Sequence, residues 1–148
     1  TPTPTPKDET VSWKLFTNTE FDYSFKYPPT YTVKEYGSDV QVYEPSKQTP
    51  NYAVDFYGQR TSATLSSIIK DKTDGRVLSE ARPTTINGLS AYEGVDQGMI
   101  SWYAVFVKNN STLVEIKFGS TDKGSLQQDK AALTNTQKLI LSTFKFTN

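Results

Sequence analysis

The chain contains no cysteine and no histidine, and its 16 basic and 16 acidic side chains cancel to a formal charge of zero over 148 residues. Without these two residue types it cannot build a Ser-His-Asp triad, a Cys-His nucleophile, a thiolate zinc site, an iron–sulfur centre or a histidine-ligated metal. A neutral chain also has no surplus of positive charge to neutralise phosphates. We therefore predict no catalytic residue, metal or cofactor, and no nucleic-acid partner.

Aromatic side chains are abundant, with eight Phe, nine Tyr and two Trp. The length suits one domain with a single core. No stretch of sequence approaches the ~18 consecutive apolar residues that span a bilayer. The absence of cysteine favours an exported protein, because free thiols are oxidised outside the cytoplasm, although cytosolic domains also lack cysteine.

Three Thr-Pro repeats occupy residues 1–6. Alternating proline fixes φ and removes backbone donors, which predicts an extended, polyproline-like spacer. We interpret residues 1–10 as a Thr-Pro-rich linker and residues 11–148 as one folded domain. The linker predicts an extracytoplasmic protein, secreted or at the cell surface and tethered to the membrane through a missing N-terminal anchor. An inter-domain hinge or a cytosolic tail is the alternative.

Most of the domain shows the period of two that is typical of strands. Aromatic and polar residues alternate from Phe21 to Tyr27, and the preceding run makes Trp13–Tyr27 a predicted hairpin. Both alternating sets of Ile100–Lys108 are apolar, which predicts a central strand covered on both faces. Further strands are predicted at Val40–Tyr43, Tyr52–Gly58, Val77–Ile86, Leu89–Val95 and Thr112–Phe118, with a brief last strand at Phe144–Phe146.

Two segments have helical spacing. Apolar residues follow the N-cap candidate Thr64 at i, i+3 and i+4 positions, which predicts a short helix that ends before Gly75. A longer helix is predicted from Ser125 to about Leu141, with apolar residues seven apart on one side. The order of these elements predicts an α+β fold in which helices flank a twisted, mainly antiparallel sheet.

Three segments resemble a known family. Trp13–Asn18 and Phe21–Pro29 are similar to the opening of the PsbP-like domains of bacterial secreted and lipid-anchored proteins, and Ile140–Phe146 is similar to their ending. The resemblance implies an α/β/α sandwich outside the cytoplasm with no enzymatic role. The plant member is an extrinsic photosystem II subunit that helps to retain calcium and chloride. No photosystem-docking motif is present here, so neither that role nor any functional residue is carried over.

Two short motifs invite catalytic or metal-binding hypotheses. Ser67 and Lys70 match the Ser-x-x-Lys pattern, but the partner motifs of those enzymes are missing and the pattern recurs by chance, so Lys70 is interpreted as a solvated helix residue. Asp71–Gly75 is rich in oxygen ligands, but the ligand positions of a calcium loop around Gly75 fall on lysine and alanine. The end of a helix at Gly75 explains that segment better.

Three acids on predicted strands, Asp55, Glu93 and Glu115, are candidates for a glycosidase-like carboxylate pair. Alternation places Asp55 and Glu115 opposite the apolar sets of their strands, so we expect them on an exposed sheet face. The overlapping glycosylation sequons at Asn109–Thr112 are explained equally well by a tight turn.

Tyrosines offer a possible binding surface, because an exposed phenol stacks on sugars or anchors a protein partner. The sequence thus favours a non-catalytic extracytoplasmic binding or assembly domain with a protein or cell-envelope partner. The alternative is a carbohydrate-binding or glycan-modifying domain that uses tyrosines and strand carboxylates, and a purely structural spacer is a third hypothesis. Core packing is expected for Phe21, Phe25, Trp102 and Phe106. The candidate binding residues are Tyr31, Tyr36, Tyr43, Tyr57 and Tyr103.

Overall fold

The computed structural model describes residues 2–5 and 7–148. Thr1 and Pro6 of the predicted spacer lie outside the described residues, and the division into linker and domain stays a prediction. The described residues contain three helices, α1 (Leu65–Asp74), α2 (Leu126–Ala131) and α3 (Asn135–Ser142), and ten strands. The strands are β1 (Lys14–Asn18), β2 (Tyr23–Tyr27), β3 (Thr32–Tyr36), β4 (Asp39–Tyr43), β5 (Val54–Arg60), β6 (Leu78–Ile86), β7 (Leu89–Gln97), β8 (Ser101–Asn109), β9 (Thr112–Phe118) and β10 (Lys145–Phe146).

The strands form two antiparallel sheets. The large sheet has the order β3-β4-β5-β9-β8-β7-β6, and the small sheet has the order β1-β2-β10. Asn87 and Gly88 join β6 to β7 with φ angles of 51° and 81°, as a tight Asn-Gly hairpin requires. The predicted α+β class and mainly antiparallel pairing are confirmed.

The large sheet is covered on both faces. One face, called here the small-sheet face, packs against the small sheet, α2 and α3. The opposite face, called here the α1 face, packs in part against α1 through Ile69. Strand β8 is interior, and Val105 on the small-sheet face and Phe106 on the α1 face are both fully buried. The domain therefore has three layers, and β8 is an interior strand of the middle layer.

Aromatic rings join the small sheet to the large one. Phe25 of β2 stacks on Phe56 of β5 with ring centroids 4.1 Å apart. Tyr23 and Phe144 both lie about 6 Å from the Phe56 ring, at 5.8 and 6.1 Å. Stacked rings of this size contribute much of the burial in a core. The predicted aromatic face of the first hairpin is the contact between the sheets.

The predicted helix from Ser125 to Leu141 is wrong in its continuity, because the structure has two short helices there. Thr134 caps α3 by accepting a hydrogen bond from the backbone N–H of Gln137, and the Gln137 side chain accepts one from the backbone of Thr134. This capping box starts a new helix inside the apolar repeat. The prediction also missed β3, an edge strand whose residues are mostly exposed.

Strand β6 contains one extra residue that positions the site described below. Leu78 pairs with Asp96 and Arg82 pairs with Glu93, so four residue steps on β6 match three on β7. Glu80 lies in this bulge at a left-handed φ of 53°. An extra residue reverses the alternation of side chains beyond it. Leu78 therefore packs on the α1 face, and Arg82 points to the small-sheet face beside Glu93.

Candidate functional site

The three candidate strand carboxylates are all buried. Asp55, Glu93 and Glu115 are 4%, 1% and 6% exposed. The expected exposed location of Asp55 and Glu115 is therefore wrong. Both do lie opposite the apolar sets of their strands, but neighbouring side chains of the α1 face cover them. Glu93 lies on the other side of the sheet, so the structure does not bring the three acids together.

Glu93 lies at the centre of an ion network. Its carboxylate accepts hydrogen bonds from Lys130 Nζ at 2.7 Å, from the Tyr103 hydroxyl at 3.2 Å and from Arg82 Nε at 3.2 Å. Burial acts to raise the pKa of Glu93, but Lys130 and Arg82 outweigh burial and hold this pKa below its ordinary value. Burial and the Glu93 charge raise the pKa of Tyr103. Glu93 is thus a fixed anion that holds two cations in place.

These cations line an open groove between β6, α2 and α3, which we call the basic groove. Arg82 and Lys130 are 58% and 45% exposed, so their remaining donors reach solvent. Lys138 is exposed and forms no ion pair within residues 2–5 and 7–148. The groove has a volume of about 570 Å³ and is lined by Arg82, Gln127, Lys130, Ala131 and Lys138. With Glu93 counted, three cations against one anion leave a surplus of two positive charges.

The bulge in β6 ties this groove to the start of α2. The Glu80 carboxylate accepts a hydrogen bond from the backbone N–H of Leu126 at 2.8 Å. Leu126 is the first residue of α2 and is buried in the core. A carboxylate at this position satisfies a free helix donor and stabilises the helix dipole. The same extra residue therefore anchors the helix that carries Lys130 and directs Arg82 toward Glu93.

A second groove lies on the α1 face, and we call it the mixed-charge groove. Lys72 of α1 approaches Glu115 of β9, with Nζ 3.5 Å from Oε2, and lies 5.6 Å from the centre of the Phe106 ring. Burial raises the pKa of Glu115 despite this lysine. The groove has a volume of about 400 Å³ and is lined by Asp39, Tyr57, Lys72, Val77, Asp96, Glu115 and Lys117.

Asp55 lies under the edge of the mixed-charge groove, paired in register with Gln41 on β4 and Lys117 on β9. Its Oδ1 atom is buried without a hydrogen-bond partner in the part of the chain that the structure describes. Burial, and next the charge of Asp39, raise the pKa of Asp55 to about 7. Asp55 therefore exchanges its proton near neutral pH, in contrast to Glu93.

The five candidate tyrosines do not form one surface. Tyr43 and Tyr103 are buried, so the prediction of an exposed binding position is wrong for these two. The Tyr43 hydroxyl donates to Gln41, and the Tyr103 hydroxyl donates to Glu93. Tyr36 is 48% exposed, and Tyr31 and Tyr57 are half-buried. Of the five, Tyr57 alone lines a described groove. A binding role for these three accessible tyrosines stays a prediction.

A different aromatic pair is accessible beside the mixed-charge groove. Trp102, which pairs in register with Asp96, stacks on Tyr52 with ring centroids 5.5 Å apart. Both rings are half-buried, so the expected full burial of Trp102 is wrong, whereas Phe21, Phe25 and Phe106 are in the core. Burial and nearby acids, Asp55 first among them, raise the pKa of Tyr52.

The remaining motifs have structural explanations. Ser67 donates its hydroxyl to the carbonyl of Thr64, and Lys70 pairs with Asp74 one turn along α1, so these two side chains do not bond each other. Gly75 is the C-cap of α1, as the sequence indicates. The sequon segment forms the β8–β9 turn with Asn110 at a φ of 52°. Within the described residues no acidic cluster has the geometry of a metal site, and no helix is long and apolar enough to cross a membrane.

Sequence reasoning missed the cations of the basic groove. Arg82 and Lys130 lie 11 and 37 residues from Glu93, and Lys138 lies on another helix. Two features of the sequence do indicate this site. Glu93 is an acid among the alternating apolar residues of its predicted strand. The segment from Thr134 to Gln137 matches a capping box, which starts α3 as a helix separate from α2.

Comparison with solved structures shows which fold this is. The solution structure of a cyanobacterial PsbP, CyanoP from Synechocystis sp., matches 97% of this chain and 98% of its own with a TM-score of 0.56 and 12% identity. The chain has the PsbP fold. A crystal structure from Bacteroides thetaiotaomicron is similar over 91% of this chain, with a TM-score of 0.59 and 14% identity. This PsbP-like chain spans 48%, about half, of that protein's length.

No protein-family model matches the chain, and no curated protein matches it in sequence. At 12% and 14% identity the likeness extends to the PsbP-like fold and not to side chains. The two grooves on opposite faces of the large sheet are therefore the features of this chain that bear on its function.

Proposed function

We propose that this PsbP-like chain is a non-catalytic binding or assembly domain that acts outside the cytoplasm, is tethered by its Thr-Pro spacer, and takes a protein or cell-envelope partner. The observation that carries the proposal is Glu93, a fully buried carboxylate that fixes Arg82 and Lys130 at the wall of an open groove. A buried ion network adds little stability compared with apolar packing. A role in binding accounts for its presence.

Fixed charges suit binding better than proton transfer. A general acid or base works best with a pKa near the working pH, whereas the cations around Glu93 lower its pKa. The groove volume of about 570 Å³ lies within the range of ligand sites. The resemblance to secreted PsbP-like domains and the Thr-Pro repeats support the location.

Site-directed photocrosslinking in the producing organism tests this function. A photoreactive phenylalanine analogue replaces one solvent-accessible residue at a time in the full chain. Gln127 probes the basic groove without removing a cation, Tyr57 probes the mixed-charge groove, and Leu15 on β1 and Thr32 on β3 are matched exposed positions elsewhere. We expect a discrete adduct from one groove position and none from the two matched positions. Absence of adducts from every position, or equal adducts from all four, contradicts a binding domain.

A second candidate function, glycan binding or modification, is favoured by the mixed-charge groove. The stacked Tyr52–Trp102 pair presents partly accessible rings next to Asp96, and aromatic faces of this kind stack on sugars. Asp55, with a pKa of about 7, has the property of a general acid in glycoside chemistry.

Calorimetric titration with cell-wall glycan fragments separates this candidate from the first. If glycans are the ligand, we expect heat of binding that Trp102→Ala abolishes and that Trp13→Ala, a matched tryptophan change on the small-sheet side, leaves in place. Binding that depends on neither tryptophan, or no binding at all, removes the glycan hypothesis.

A further inference from the structure

We propose that the basic groove is the docking site for an acidic, extended segment of a protein partner. The proposal rests on the binding function above and names the chemistry of its ligand. Its basis is the meeting of three cations from three elements, Arg82 of β6, Lys130 of α2 and Lys138 of α3, along one open groove. The surplus of two positive charges there stands out in a chain whose formal charge is zero.

The three cations of the groove have hydrogen-bond donors that Glu93 does not occupy. Arg82 contacts Glu93 through Nε at 3.2 Å, which leaves the two terminal nitrogens of its guanidinium for a second carboxylate. Lys130 contacts the same carboxylate through one ammonium with three donors, and the Lys138 ammonium has no acidic partner within residues 2–5 and 7–148. Bidentate Arg–carboxylate pairs are among the strongest hydrogen bonds of proteins. Because Glu93 already orients Arg82 and Lys130, a ligand carboxylate meets cations that are held in place.

The shape of the groove favours a chain over a single small anion. The methyl of Ala131 and the methylene stems of the lysines form an apolar floor, and the Gln127 amide offers a donor and an acceptor. The groove borders β6, an edge strand of the large sheet. An extended peptide lies well along a sheet edge and places acidic and apolar residues on alternate sides.

A membrane surface fits this site less well than a peptide. Lipid headgroups form a flat layer, whereas these cations line a groove and two of them are held at its wall by Glu93. Proteins that bind membrane surfaces combine cations with exposed apolar residues. The large apolar side chains that are exposed in the described residues lie outside the groove lining: Val11, Leu15, Tyr36, Val77, Met99 and Ile100.

Fluorescence anisotropy of the whole chain with a labelled peptide of alternating Glu and Leu tests the proposal. The test variant is Lys138→Glu, whose exposed side chain forms no hydrogen bond or ion pair within residues 2–5 and 7–148, and the matched control is Lys14→Glu, another exposed lysine, on β1. We expect wild type and Lys14→Glu to bind alike, Lys138→Glu to bind about tenfold more weakly, and binding to weaken with added salt. A matched peptide of alternating Lys and Leu is expected not to bind.

Three results overturn the proposal. Equal loss in the two lysine variants shows only general attraction, and no binding by wild type removes the acidic segment as a ligand. Binding to phosphatidylglycerol vesicles that exceeds peptide binding and depends on Lys138 assigns the groove to lipid instead. If photocrosslinking yields an adduct through Tyr57 while the peptide fails, the binding function stands and the ligand chemistry proposed here falls.

Discussion

At the scale of single residues, two buried acids of this domain differ in the direction in which their surroundings move the pKa. Glu93 is surrounded by cations, whereas Asp55 has Asp39 as a neighbour and an unpartnered Oδ1 atom. Burial acts to raise the pKa of both carboxyls, so the neighbouring charges decide the outcome. The two acids therefore give opposite dependences of stability on pH.

Glu93→Gln removes the anion and keeps the shape of the side chain. We expect the free energy of unfolding at pH 7 to fall by about 1–3 kcal/mol, because Arg82 and Lys130 lose their partner. The pKa of Glu93 is lowered in the folded state, so its contribution is present above the unfolded value near 4.5 and is lost as the pH falls through the folded pKa. Urea unfolding of wild type and variant across this pH range checks the prediction. A difference in unfolding free energy that does not shrink in acid contradicts it.

Asp55→Asn is expected to have the opposite effect and to raise the free energy of unfolding above neutral pH. The folded pKa is about 7 against an ordinary 3.8, so the wild type loses stability as the pH rises between these values. The variant has no such proton to lose, and we expect it to exceed the wild type in stability at pH 8 by about 1–3 kcal/mol, with a gap that closes toward pH 4. Thermal unfolding at the two pH values measures this. A variant less stable than wild type at pH 8 would show that Asp55 is needed as an anion.

Much of this residue-scale detail was beyond the sequence. Alternation indicated the correct sheet face for Asp55 and Glu115, but it could not show which side chains would cover that face. The partners of Glu93 come from β6, β8 and α2, and a contact between separate elements leaves no local pattern. Tyr43 and Tyr103 illustrate the same difficulty, because their burial depends on hydrogen-bond partners and not on their own polarity.

At the scale of elements, Gln137 links α3 to the large sheet. Its side chain donates to the carbonyls of Ala53 and Gly119, each at 2.9 Å, and accepts from the backbone N–H of Thr134. One amide therefore bonds carbonyls at the start of β5 and the end of β9 as well as the N-cap backbone N–H of the helix. Unsatisfied groups at buried sites are costly.

Two substitutions separate these roles. We expect Thr134→Ala to lower the free energy of unfolding by about 1 kcal/mol, the usual value of an N-cap. We expect Gln137→Ala to lower it by about 3 kcal/mol, because the Gly119 carbonyl loses its side-chain donor and the Ala53 carbonyl keeps only the backbone N–H of Gly119. Chemical denaturation of both variants provides the comparison. Equal losses would mean that the contacts to Ala53 and Gly119 add no stability beyond the cap.

Strong local patterns made most elements predictable. The Asn87-Gly88 hairpin, the helix after Thr64 and the doubly apolar β8 lie where the sequence indicates, because turn chemistry, capping and periodicity act within a few residues. Strand β3 was missed because an exposed edge strand has little apolar alternation. The break before α3 was missed because Leu126, Leu133 and Ile140 continue one apolar stripe across it.

At the scale of the whole molecule, Phe144 holds the layers together. It is 1% exposed, contacts Tyr23 of the small sheet and Phe56 of the large sheet, and lies next to the last strand. Its carbonyl also accepts a hydrogen bond from the Asn87 side chain at 2.8 Å. The C-terminal end of the chain is thus part of the core.

Phe144→Ala is expected to destabilise the whole domain by about 3–5 kcal/mol. Because the ring contacts both sheets, near-ultraviolet and far-ultraviolet circular dichroism should report one shared transition at a lower denaturant midpoint. Phe146→Ala is the matched control, since this ring is half-buried and packs edge-on against Phe144 at 5.3 Å. Two separate transitions would show that the small sheet unfolds by itself.

The bulge of β6 has a consequence for how α2 is held. Removing Glu80 would close the bulge and place Arg82 three residues from Leu78, so Arg82 would stay on the small-sheet face beside Glu93, but the start of α2 would lose its carboxylate partner. Loss of a single codon would thus keep the Arg82–Glu93 pair and release the helix that carries Lys130, without altering strand order. Among otherwise similar domains, a difference in gene length at this position would therefore mark a difference in how this helix is anchored.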